Sequence, residues 1–323
     1  MTTVALFYDN VRTINEYTGW HMHGDVIDLA MRLTVKNRMF EPQIYDTTKA
    51  QIKRHTHMLS KARYERGIRH ALFARAHCEA SIEQFVADVF QNVRQLRALG
   101  IMHRPPIYQA AMYYEREKMV TKERVVDLLA MLQSFMPKGQ KPSPYQAAVL
   151  AKVPASVADI EQSFERIYTF LIEQQFEQQY AHITAAIAYI RQADLMQTTT
   201  NVQALKVHIE KSMKLRPVYD SYMWIISTKY DAWTAIELLQ EIEQQLQRLP
   251  VSFPSQTDVT LLSLQLLSAT VLDNMETVYA DDLFNDMLYD FTTACDASGK
   301  SDTACTDATA SGDGGDGGGG GGD

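Results

Sequence analysis

The stretch SVADIEQSFERIYTFLIEQQFEQQYAHITAAIAYI, Ser156 to Ile190, decides the fold class. Ile160, Phe164, Ile167 and Leu171 recur at four-, three- and four-residue steps, the period that places apolar side chains on one face of a helix. After a five-residue step the stripe resumes at Phe176 and runs through Tyr180, Ile183, Ile187 and Ile190. Ser156 opens the stretch as an N-cap, with Asp159 as a variant of the Glu or Gln of a capping box. The spacing predicts one helix of about 35 residues, roughly 50 Å long at 1.5 Å per residue. The phase slip predicts packing within a bundle rather than an uninterrupted two-stranded coiled coil.

Outward from this stretch the same period dominates. On the C-terminal side, Thr200 or Asn201 is a candidate cap for a helix to Leu215. Pro217 opens a second long helix, Val218 to Leu249, which Pro250 and Pro254 end. A third helical stretch runs from Val259 to Phe291. On the N-terminal side, Ser143-Pro144-Tyr145-Gln146 reads as a capping box with proline at the first helical position, and Thr121 caps a helix to Phe135. Arg66 to Leu99 reads as one long helix stopped by Gly100, preceded by a helix from Lys49 to Ala62. The β signal is confined to the start: Val4-Ala-Leu-Phe-Tyr8 before the turn pair Asp9-Asn10, and Pro42-Gln-Ile-Tyr45. A helix capped by Asp25, Val26 to Val35, lies between them.

The predicted architecture is therefore mainly α: a long-helix antiparallel bundle with a short α/β or β-containing N-terminal segment and a disordered C-terminal tail. Its divisions are a basic, mostly helical region at 1–140, the bundle at 141–292, and an acidic Gly/Asp tail at 293–323. Gly312 to Asp323 contains only glycine and aspartate, which cannot bury enough surface to offset ordering entropy.

Composition bounds the function. Of 323 residues, 46% are hydrophobic and 22% charged, which is globular usage. No apolar run approaches the roughly 20 residues of a membrane span, and the N-terminus has no signal-peptide pattern. Three cysteines (Cys78, Cys295 and Cys305) make no disulfide framework. These features predict an intracellular protein, cytoplasmic or nuclear, with no membrane partner.

Charge is polarised along the chain. Positions 1–150 hold 21 Lys/Arg against 14 Asp/Glu, a net of +7, and the remainder holds 10 against 25, a net of −15. The sharpest concentration is Lys49, Lys53, Arg54, Lys61, Arg63, Arg66, Arg69 and Arg75, opposed between 49 and 76 only by Glu65. Tyr64, Phe73, His55, His57 and His70 are interleaved with them. Cations neutralise phosphates and aromatic faces stack on unpaired bases, so these eight residues are the candidate nucleic-acid-binding set. A solvated helix face, or an acceptor for the acidic half of the chain, explains the same pattern without a ligand.

Seven of the nine histidines lie within the first 103 residues, including His21-Met-His23, His55-Thr-His57 and His77-Cys78. No HExxH or paired CxxC accompanies them, so no metal or cofactor is expected. Phosphate-loop and hydrolase-elbow motifs are missing too, so no catalytic residue is assigned. One resemblance remains. Val4-Ala-Leu-Phe-Tyr-Asp9-Asn10, a helix, and Gln43-Ile-Tyr-Asp46 resemble the first βαβ unit of NYN/PIN-type nucleases. That likeness implies a metal-dependent nuclease built around Asp9. It extends over about residues 3 to 47, and no later strand supplies further acidic ligands.

The expectation that best fits the composition is a non-enzymatic structural or assembly protein. It would self-associate as a homo-oligomer or bind a helical protein partner, with nucleic acid or another polyanion on its basic face, as in a nucleocapsid-like protein. A metal-dependent nuclease is the alternative.

Overall fold

The structure, a computed structural model, describes residues 3–19, 23–58, 60–101, 105–114, 120–138, 140–211, 219–248 and 256–273. Fifteen helices and no strand occur among these residues. In chain order they are α1 (Thr3–Thr18), α2 (His23–Val35), α3 (Pro42–His55), α4 (Lys61–Tyr64) and α5 (Arg66–Ala76). Next come α6 (Ile82–Ala98), α7 (Pro105–Ala111), α8 (Lys122–Ser134), α9 (Pro144–Ala151) and α10 (Val157–Glu173). The series closes with α11 (Gln178–Arg191), α12 (Leu195–Ile209), α13 (Asp220–Ser227), α14 (Ala232–Gln247) and α15 (Gln256–Asp273). No described helix is long and apolar enough to cross a membrane. The tail expected to be disordered, 293–323, lies outside the described residues.

The β expectation at the start is overturned. Val4 to Tyr8 is the beginning of α1, and Val4, Phe7, Val11 and Ile14 bury one face at three- and four-residue steps. The five-residue window looked like a strand because it ended before that period could show. Asn10, read as a turn residue, is a buried bracket. Its amide donates to the Arg38 carbonyl at 2.9 Å, and its Oδ1 accepts from Phe40 N–H at 2.8 Å. Pro42 likewise occupies the first turn of α3, where its missing N–H costs nothing, and Tyr45, Thr48 and Ile52 form the buried face.

Three of the long predicted helices are each two helices. The Ser156–Ile190 stretch breaks at Gln174–Glu177, within the five-residue step, and α10 packs against α11. Gln175 takes φ +66°, and Phe176 N–H bonds back to the Leu171 carbonyl at 3.0 Å. That is the 6→1 bond of a Schellman stop, made here without the usual glycine. At the end of α6 glycine does serve: Gly100 has φ +80°, and Ile101 N–H reaches the Leu96 carbonyl. Arg66–Leu99 divides at His77–Ser81, where the Ser81 hydroxyl caps α6. Val218–Leu249 divides before Asp231, which accepts from Thr234 N–H at 3.0 Å.

Other caps follow the sequence more closely. Ser156 Oγ accepts from Asp159 N–H at 3.1 Å and lies 2.6 Å from its carboxylate, and Thr121 caps α8. Ser143 makes no side-chain cap bond. Asp194, not Thr200 or Asn201, caps the helix that contains them.

Consecutive helices pack on each other at α1 on α2, α8 on α9, α10 on α11 and α14 on α15, while α3 packs on the more distant α6. The last described helix also returns to α1 and α2. One apolar core runs through the described helices, with Phe85, Tyr145, Phe164 and Trp224 among its largest buried side chains. Ile183 and Leu267 are buried there, while Ile167 and Ile236 are half-buried at its margin.

Candidate anion-binding cleft

Helix α3 presents Tyr45, Lys49, Ile52 and Lys53 on one face, at the four- and three-residue steps that align side chains on a helix. Opposite this face lie α4 and α5. Together they enclose a cleft of about 240 Å³. Lys49, Lys53, Arg63 and Arg69 supply cations to its wall, and Tyr45, Tyr64 and Phe73 supply aromatic rings. Ile52 and Ala62 complete the lining, in which no carboxylate takes part.

The four cations are held differently. Lys49 and Lys53 are exposed, and the Lys49 ammonium sits 5.6 Å from the Tyr45 ring centre. Arg63 is committed to the end of α3. Its Nε donates to Thr56 Oγ1 at 2.8 Å, and its Nη2 donates to the Lys53 carbonyl at 2.5 Å and to the Thr56 carbonyl. A guanidinium there meets carbonyls that have no helical partner and the negative end of the helix dipole. Arg69 is half-buried, and its Nε is a buried donor without a hydrogen-bond partner.

Beneath the cleft is an aromatic floor. Tyr45 packs on Phe73 with ring centres 4.5 Å apart, and Phe40 lies 5.7 Å from Tyr45. Burial raises the Tyr45 hydroxyl above its ordinary pKa, and the nearby positive charge of Arg69 pulls it back. Tyr64, by contrast, stands at the rim, 65% exposed. Burial also raises the Glu65 carboxyl, which the Lys61 charge opposes.

Of the eight basic residues expected to bind nucleic acid, the structure brings Lys49, Lys53, Arg63 and Arg69 together. Arg54 and Lys61 are exposed outside the cleft. Arg75 is turned elsewhere: its Nε pairs with Glu79 at 2.9 Å and its guanidinium lies 5.0 Å from the Tyr113 ring centre. The Arg66 side chain lies outside the described residues. Tyr45 and Ile52 join the site from positions that reading by charge alone passed over, although the step of four from Tyr45 to Lys49 was visible.

The described histidines do not converge on one point. His70 is fully buried, with Nδ1 2.6 Å from Asp28 Oδ2, and Asp28 Oδ1 accepts from Arg32 Nε at 3.2 Å. Burial lowers the His70 pKa, against the pull of Asp28. His77 bonds the Phe73 carbonyl through Nδ1 and accepts from Glu41 N–H at 3.0 Å through Nε2. Its pKa is lowered by burial. His55 stacks on Phe90.

Asp9, where the nuclease resemblance began, lies on helix α1 and pairs with Arg12 at 3.2 Å. Asp46 accepts from the Tyr17 hydroxyl. Among the described residues no three His, Cys, Asp or Glu side chains are grouped to hold a metal ion. Comparison with protein families, curated proteins and solved structures finds no match to this chain.

Proposed function

We propose that the chain is a non-enzymatic nucleic-acid-binding assembly protein that engages the phosphates of a single strand through the α3–α5 cleft. The observation that carries this reading is the convergence of Lys49, Lys53, Arg63 and Arg69 with Tyr64 around one concavity lined by no carboxylate. Phosphate contacts supply affinity without sequence preference, and an exposed ring adds stacking that tolerates any base.

The test is titration of the full chain with fluorescent oligothymidylate. Each phosphate neutralised on a single strand contributes about −0.7 to the slope of log K against log salt, so the slope should be clearly negative. Lys49→Gln with Lys53→Gln should flatten that slope. Absence of binding at about 50 mM salt, where phosphate contacts are strong, would show that these cations are a solvated surface.

The self-associating half of the reading rests on a separate observation. Met196, Thr200, Gln203 and Val207 form an exposed, uncharged stripe on α12, repeating at steps of four, three and four. Trp233 on the adjoining α14 is 77% exposed. A two-fold contact pairs the same patch on both partners, and an uncharged stripe can meet itself without charge repulsion, so the occupant we propose is a second copy of this chain. Native mass measurement after nuclease treatment should give a dimer, and Met196→Glu with Val207→Glu a monomer. A monomeric wild-type chain overturns this half alone.

A further inference from the structure

We infer that the cleft seats the dianionic terminal phosphate of a nucleic-acid strand, with the adjoining base against Tyr64. The inference rests on the strand-binding reading above and narrows it to a chain end.

Three observations point there. The first is the shape of the charge. A protein that follows a strand spreads cations along a groove, whereas here four cations ring one concavity of about 240 Å³. That is below the roughly 300–1,000 Å³ of ordinary ligand pockets, and it accommodates one phosphoryl group with part of its nucleoside.

The second is charge balance. An internal phosphodiester carries one negative charge, whereas a terminal phosphomonoester carries close to two at neutral pH, its second pKa being about 6. Arg63 is tied to the Lys53 and Thr56 carbonyls. Lys49, Lys53 and Arg69 have no carboxylate in the lining. A dianion matches this surplus better than a diester does.

The third is Arg69. It lines the cleft with no carboxylate beside it in the lining, and a guanidinium presents donors in a planar array suited to phosphate oxygens. A terminal phosphate offers three oxygens free of ester bonds, against two for a diester. Tyr64 at the rim then presents a ring face to the first base.

The experiment compares one octathymidylate in three forms: 5′-phosphorylated, 3′-phosphorylated and unphosphorylated. Each is titrated by anisotropy against the full chain at about 50 mM salt. One phosphorylated end should bind about tenfold or more tighter than the unphosphorylated strand, the scale of added hydrogen bonds to a charged group. Inorganic phosphate should compete away that increment and leave the remaining binding. Arg69→Gln should bring the ratio of phosphorylated to unphosphorylated affinity, measured in that same variant, close to one. Lys53→Gln, at an exposed position, should reduce it even if the Arg69 variant fails to fold. Equal affinity for all three forms overturns the inference and leaves strand binding in place. An increment that survives both substitutions overturns it too, because the phosphate then sits elsewhere. Failure of every form to bind overturns the inference together with the reading beneath it.

Discussion

Two neighbouring positions on α5 show the two ways this molecule treats charge. His70 faces inward to Asp28, which also takes Arg32 Nε, so two fully buried bases share one carboxylate between α2 and α5. Arg69, one residue earlier, faces the cleft, where no carboxylate answers it. The first arrangement joins helices. Its charges are matched inside the protein, so they present nothing outward. The second lines an open cleft with no carboxylate in its wall, which in a folded chain calls for a ligand or for water. The contrast separates structural from functional charge better than charge density does, because both kinds occur in the same basic region.

The largest expected effect tests the matched side. Asp28→Ala leaves Arg32 buried beside His70 without its carboxylate, and should cost about 3–5 kcal/mol of stability in urea unfolding. Arg69→Gln, which removes an unmatched charge, should cost less than about 1 kcal/mol. Equal losses for the two would dissolve the distinction.

A second test uses buried groups outside this region. His182, buried on α11, is held near pKa 4 by burial, below its ordinary 6.5. As pH falls below 6.5 the unfolded chain takes a proton that the folded chain refuses, so stability falls until about pH 4. The size is about 3 kcal/mol. Asp220, paired with Lys206 at 2.7 Å, is raised from 3.8 to about 6 by burial and acts with the opposite sign. The folded chain gains that proton first, so stability rises as pH falls from 6 towards 3.8. His182→Gln should therefore reduce the loss of stability between pH 7 and 4, and Asp220→Asn should increase it. Unchanged unfolding midpoints across that range in both variants would refute these assignments.

Smaller effects grade the cleft itself. Arg63 is intermediate, since its partners are carbonyls rather than a carboxylate. Arg63→Ala should lower stability by about 1–2 kcal/mol, the range for lost charged hydrogen bonds and a weakened helix end. Lys53→Gln should change stability by no more than about 0.5 kcal/mol, as for a typical surface substitution. A larger loss from Lys53→Gln would make that side chain structural and remove it from the binding set.

Much of this was legible in the sequence, for local reasons. The apolar period identified helices from Lys49 onward, and the caps at Ser156 and Thr121 and the stop at Gly100 depend on residues a few positions apart. The α10–α11 break was marked by the step from Leu171 to Phe176, but Gln175 hid its nature by adopting a positive φ where glycine is the usual signal. Val4–Tyr8 misled because strand and buried helix look alike over five residues. The candidate site was half legible: the eight cations marked a region, and four of them line the cleft.

The sequence by itself determined mainly helical character, the basic segment and a few chain stops, since each depends on the spacing of residues close along the chain. Tertiary structure decided which charges are matched. Asp28 and His70 are 42 positions apart, and Lys49 and Arg69 are 20 apart. Only the packing of α2 and α3 against α5 decides that Asp28 meets His70 and that Arg69 faces a cleft lined by no carboxylate. The reason is physical: burial and Coulomb energy depend on distance through space, which the order of residues along the chain does not specify.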